Sequence, residues 1–148
     1  MKNKRVMFFI LALLALVAIL SAVHLNTRDT AVQGTVQVSY NEENFVLDYN
    51  KWQYKQVSGI RINGKGDEIL VEGKGIELDE ILKQLEIIHY RNVIVSSDDS
   101  YTAEVSAEEA GESGKVYLMY EKDAIRLIVF GDTDSKRSVS NVVRITVE

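Results

Sequence analysis

From Thr35 to Glu148, apolar residues tend to fall at every second position, in short runs broken by Asn, Gly and Asp. That spacing gathers the apolar set on one face of an extended chain, and such a face needs a second layer to cover it. The chain must build those layers without two common aids. It contains no cysteine and no proline. No disulfide can staple it, and its turns must rest on Gly, Asn and Asp.

The runs can be placed one by one. Thr35 to Ser39 alternates about Val36 and Val38, and Phe45 to Leu47 follows after a turn at Asn41-Glu-Glu-Asn44. Val57 to Ile62 and Ile69 to Val71 flank Asn63-Gly64, a hairpin signal because Asn-Gly accepts the positive φ of a tight turn. Asn92 to Val95, Tyr101 to Val105, Val116 to Tyr120, Ile125 to Phe130 and Ser138 to Val147 complete the strands. One period is different. Leu78, Ile81, Leu82 and Leu85 recur at helical spacing, with Glu77, Asp79 and Glu80 where a helix dipole favours anions. Ser106 and Glu109 fit a capping box for a short helical turn. Tyr49, Trp52 and Tyr54 form an aromatic group that reads as core packing. The class is α+β, mostly β with one or two inserted helices.

The amino end is of another kind. Lys2, Lys4 and Arg5 precede a run from Val6 to Leu20 with no polar residue, which Ser21 to Leu25 extends. About 20 such residues match the thickness of a bilayer core, and the basic flank argues for that end in the cytoplasm. Residues 1–25 therefore read as a signal anchor or a signal peptide, 26–34 as a linker and 35–148 as the domain. Cleavage after Ala22 would put Leu20 at the −3 position, a poor fit to a signal-peptidase site. The expectation is an N-terminal transmembrane helix, single-pass, with the domain outside the cytoplasm, or a secreted domain if the leader is cut. Lys2, Lys4 and Arg5 belong to only 17 basic residues, against 22 acidic ones. The remainder is thus more acidic than the whole chain, which argues against nucleic acid as a partner.

Familiar site patterns do not hold up. Gly111-Glu-Ser-Gly-Lys115 imitates a phosphate-binding loop but lacks the leading glycine and the hydroxyl residue after the lysine. Asp132, Asp134 and Lys136 imitate the start of a calcium loop without its later ligands. His24 and His89 are far apart in sequence, so no histidine-based zinc site is supported. No metal ligands and no catalytic residues are assigned.

Four segments together carry a resemblance. They are Gly75-Ile-Glu-Leu-Asp-Glu-Ile-Leu82, Asp99-Ser-Tyr-Thr-Ala-Glu-Val-Ser106, Arg126-Leu-Ile-Val-Phe-Gly-Asp132 and Ser135-Lys-Arg-Ser-Val-Ser-Asn-Val-Val-Arg-Ile145. In order and approximate spacing they resemble the oxidoreductase molybdopterin-binding domain family, and they cover about half the chain. Thr35 to Val71 shares no motif with it. The resemblance implies a sulfite-oxidase-like fold. It also implies that Arg126, Lys136 and Arg137 face the pterin and its phosphate, where guanidinium and ammonium groups suit an anion. The family holds molybdenum through a cysteine thiolate, and this chain has none. Phe130, Ser138 and Ser140 stand where the family has proline, tryptophan and lysine. The expectation is a divergent, membrane-anchored, extracytoplasmic domain that is non-catalytic, carries no cofactor, and binds a small anionic ligand or a protein partner. The alternative is a molybdopterin-dependent oxidoreductase that lacks the cysteine ligand.

Overall fold

The computed structural model describes residues 2–27 and 32–148, and it separates into an N-terminal unit, 1–30, and a domain, 31–148. The N-terminal unit is one helix, α1 (Lys2–Thr27). Among the described residues no helix is long and apolar enough to cross a membrane, and this overturns the expected N-terminal transmembrane helix. The side chains of Lys2, Lys4, Arg5 and His24, and residues 28–31 of the expected linker, lie outside the described set.

The domain is small, mostly β and built from two sheets. The chain order is β1 (Thr35–Tyr40), β2 (Glu43–Asp48), a 3-10 turn (Tyr49–Lys51), β3 (Lys55–Ile62), β4 (Glu68–Glu77), α2 (Leu78–Gln84), β5 (Asn92–Ser97), β6 (Thr102–Ser106), α3 (Ala107–Gly111), β7 (Val116–Glu121), β8 (Ala124–Val129) and β9 (Val142–Val147). The five-stranded sheet runs β2-β1-β9-β5-β6, and the four-stranded sheet runs β3-β4-β7-β8. Among the described residues only β1 and β9 pair in parallel, with Val38 opposite Ile145. This two-sheet protein replaces the expected α+β, sulfite-oxidase-like fold with a membrane-spanning N-terminal helix.

The alternation seen in the sequence has a direct structural cause. Val36, Val38, Val93, Val95, Ile145 and Val147 point inward from the five-stranded sheet. Ile76, Leu118, Ile125, Leu127 and Val129 do so from the four-stranded one, and Leu78, Ile81 and Leu82 of α2 complete the same core. Each fully buried aliphatic side chain stabilises the fold by about 1.5–3 kcal/mol relative to exposure.

Helix α2 stops where its backbone turns left-handed. Glu86 has φ 60°, the Ile87 N–H bonds the Leu82 carbonyl at 2.9 Å, and the Glu86 N–H bonds the Lys83 carbonyl at 3.0 Å. This is a Schellman motif, with buried Ile87 packed over Leu82, but its left-handed residue is not glycine. The hairpin turns use the same region: Asn41-Glu42 and Lys122-Asp123 both have positive φ. In the β3–β4 loop the positive φ falls on Gly66 rather than on Gly64. There Asn63 Oδ1 accepts from the Lys65 and Asp67 N–H groups, at 2.8 and 2.9 Å.

Strand β4 runs through Gly73 and Gly75, where the sequence pattern ends the strand at Val71. The glycines make room on the outer face of the four-stranded sheet, where Val57, Met119 and Ile128 form a second apolar cluster with Val71, Tyr117 and Phe130. A Cβ on Gly75 would lie 2.5 Å from Met119 Sδ, and one on Gly59 would lie 2.6 Å from the Phe130 ring.

Two substitutions test these points. Glu86→Gly relieves a left-handed side-chain residue and raises stability by about 1 kcal/mol, seen as a higher urea midpoint at unchanged slope. Gly59→Ala pushes Phe130 off the sheet and lowers stability by about 1–3 kcal/mol, whereas Gly59→Ala combined with Phe130→Ala recovers part of that loss.

Candidate functional site

The three basic residues singled out by sequence lie on β8 and on the connection from β8 to β9, and every one meets a carboxylate. Arg137 is the most heavily engaged. Its Nη1 and Nη2 donate to Glu109 Oε2 and Oε1 at 2.8 and 2.9 Å, and its Nε donates to Asp132 Oδ2 at 2.9 Å. Nη2 also donates to Asp132 Oδ1. Asp132 and then Glu109 hold the guanidinium's pKa above its ordinary value. Glu109 is at the same time the capping-box residue of α3. Its N–H bonds Ser106 Oγ at 3.2 Å and its Oε2 accepts from the Ser106 N–H at 3.3 Å. One carboxylate thus fixes the start of α3 and anchors the β8–β9 connection to it.

Lys136 pairs with Asp134 at 3.3 Å on the surface. The Lys136 N–H, followed by its ammonium group, keeps the Asp134 carboxyl below its usual pKa. Arg126 donates through Nε to Glu121 Oε2 at 2.9 Å and through Nη1 to Ser138 Oγ at 3.5 Å. Its Nη2 has no partner among the described residues. Arg126 lines a cleft of about 210 Å³ together with Glu121, Lys122, Ala124, Ile125, Ser140 and Asn141. Lys136 and Arg137 are not among the residues lining that cleft.

Sequence reasoning missed Lys122, Ser140 and Asn141. Lys122 sits at φ 51° in the β7–β8 turn and Asn141 at φ 48° just before β9. Lys122 has no ion-pair partner among the described residues. A Lys-Asp pair at a two-residue turn was the only available signal, and it marks a hairpin before it marks a site.

The other motifs resolve locally. Asp132 and Asp134, the imitation calcium loop, face Arg137 and Lys136. In the glycine-rich segment the Gly114 N–H bonds Glu77 Oε1 at 3.1 Å and Lys115 pairs with Glu112 at 2.7 Å. Tyr120 joins Tyr49, Trp52 and Tyr54 in a ring of aromatic contacts with centroid distances of 5.4–6.3 Å. Their hydroxyls are bonded: Tyr49 to the Asp123 carbonyl at 2.9 Å, Tyr54 to the Tyr49 carbonyl at 2.7 Å and Tyr120 to Asp123 Oδ1 at 3.0 Å. Burial pushes the Tyr54 hydroxyl well above its ordinary pKa. Among the described residues no group of three or more His, Asp or Glu side chains is placed to hold a metal ion.

The chain offers no thiolate, and the guanidinium of Arg137 is engaged by two carboxylates. No family model matches the chain, and no curated protein matches it.

The Arg137 clamp has a pH signature. The guanidinium beside Glu109 holds that carboxyl below its ordinary value of 4.5. A depressed carboxyl pKa contributes stability that is fully present above the unfolded-state value and is lost as pH falls through the folded-state one. Wild-type protein therefore loses this increment on acidification below about pH 4.5. Glu109→Gln is less stable at pH 7, by on the order of 2 kcal/mol. The gap between the two narrows toward pH 3 in urea titrations.

Proposed function

We propose that the domain is a non-catalytic binding module that takes a small oxyanion of phosphate or sulfate size in the cleft beside Arg126. One observation carries the reading. Lys122 is unpaired among the described residues, and it lines the same cleft as Arg126, whose Nη2 is unengaged. Guanidinium and ammonium donors are the groups that recognise such anions, and the Ser140 hydroxyl and the Asn141 amide add neutral donors at the same cleft. At about 210 Å³ the cleft falls below the roughly 300–1,000 Å³ of sites that enclose drug-sized molecules. A bare anion suits it better than a pterin does. The basic-then-apolar order of the first 25 residues supports placing the module outside the cytoplasm.

The Arg137 and Lys136 positions drop out of this site because neither lines the cleft, so the reading separates the three basic residues by position. Titration of the full chain with inorganic phosphate, followed by amide shifts, is expected to move Lys122, Arg126, Ser140 and Asn141. Arg126→Ala and Lys122→Ala each weaken the anion by about ten-fold, the scale of one charge-assisted hydrogen bond, while Lys136→Ala leaves it unchanged. Chain produced in a host that makes molybdenum cofactor is expected to carry no stoichiometric molybdenum by elemental analysis. Phosphate shifts confined to Lys136 and Arg137, or a bound redox-active metal, would overturn the reading.

A further inference from the structure

The longest sheet edge among the described strands and a groove on the outer sheet face lie side by side. Strand β3 ends the four-stranded sheet, with β4 on one side and no strand on the other among the described residues. It pairs with β4 in unbroken register from Lys55 to Ile62, so its outward N–H and C=O groups form a regular row. Unpaired rows of this kind accept an added strand, and natural edges are commonly shortened, bulged or interrupted by proline to prevent it. Here the strand is long, unbulged and free of proline, and its charged residues, Lys55 and Arg61, stand at its two ends. The other edge strand of the same sheet, β8, is partly closed by the bridge from Leu127 to Val139.

Beside the first half of β3 lies a groove of about 310 Å³ on the outer face of the sheet. Val57, Tyr117 and Phe130 give it an apolar floor, with the two aromatic rings 5.6 Å apart and tilted by 59°. Two carboxylates stand at its rim. Glu77 Oε1 accepts from Ser113 Oγ, the Gly114 N–H and the Tyr117 hydroxyl at 3.3, 3.1 and 3.2 Å, while its Oε2 accepts nothing among the described residues. Glu80 pairs with Lys55 at 3.1 Å through Oε2, and that lysine is largely exposed. Two acids against one base leave the groove with a surplus negative charge above aromatic faces. Such a setting suits a cation on an apolar stem.

We propose that β3 is a docking edge for an extended segment of a partner protein, which adds as a fifth strand and lays a basic side chain in the groove on Glu77 and Glu80. Main-chain pairing supplies affinity in this mode, and the pocket for one side chain supplies selectivity. The site is separate from the Arg126 cleft, so either can fail without the other.

The test uses the full chain and a blocked seven-residue peptide that alternates valine and threonine about a central arginine, beside a twin with central glutamate. Amides of Lys55 to Ser58 are expected to shift and to gain protection from exchange with the arginine peptide. The glutamate twin is expected to bind about ten-fold more weakly. Glu80→Gln should reduce the arginine peptide's affinity several-fold. That variant changes an exposed rim group rather than the Glu77 network that holds Gly114, so misfolding does not obscure the result. Equal affinity for the two peptides would overturn the proposal, and so would shifts confined to other strands. Concentration-dependent shifts at β3 without peptide would overturn it in favour of a second copy of this chain.

Discussion

The domain depends on the burial of one continuous apolar layer between two sheets. With no cysteine in the chain, no covalent link holds the layers together, and packing has to outweigh the conformational entropy of ordering them. The inward side chains are almost all aliphatic, and α2 closes the layer with Leu78, Ile81 and Leu82, each fully buried. The aromatic residues stand apart from that pattern. Tyr49, Trp52, Tyr54 and Tyr120 gather at one end of the core, where each tyrosine hydroxyl reaches a carbonyl or carboxylate and none is left dry.

Much of this was legible in the chain because it is local. The alternation about Val36 and Val38, the turn at Asn41-Glu42, the hairpin at Lys122-Asp123 and the capping box at Ser106 and Glu109 each depend on residues a few positions apart. What escaped depends on distance. Strand β4 continues through Gly73 and Gly75 because Met119 of β7 lies over them, a fact that no window on β4 alone contains. Among the basic residues taken for a ligand site, the bidentate pairing of Arg137 could not be seen, since Glu109 lies 28 positions before it. The apolar run at the amino end looked long enough for a bilayer when counted in sequence, yet among the described residues no helix is long and apolar enough to cross a membrane.

Carboxylates set the character of the whole surface. Acidic residues outnumber basic ones by 22 to 17, and the structure uses the excess to neutralise cations one at a time, as at Arg137, Lys115 and Lys83. Exposed pairs of this kind add little stability. Their effect is to decide which cations stay available, and Lys122, beside the Arg126–Glu121 pair, is one that does.

Strand β9 occupies the middle of the five-stranded sheet, between β1 and β5. It is also the last strand of the domain to leave the ribosome. Until it arrives, β1–β2 and β5–β6 are two separate hairpins with nothing to join them into one layer over the four-stranded sheet. Hairpins form within microseconds, but the long loop closure that unites them must wait until β9 has been made. The five-stranded sheet therefore cannot be completed piece by piece as it is made; its two halves join only when β9 slides in as the keystone.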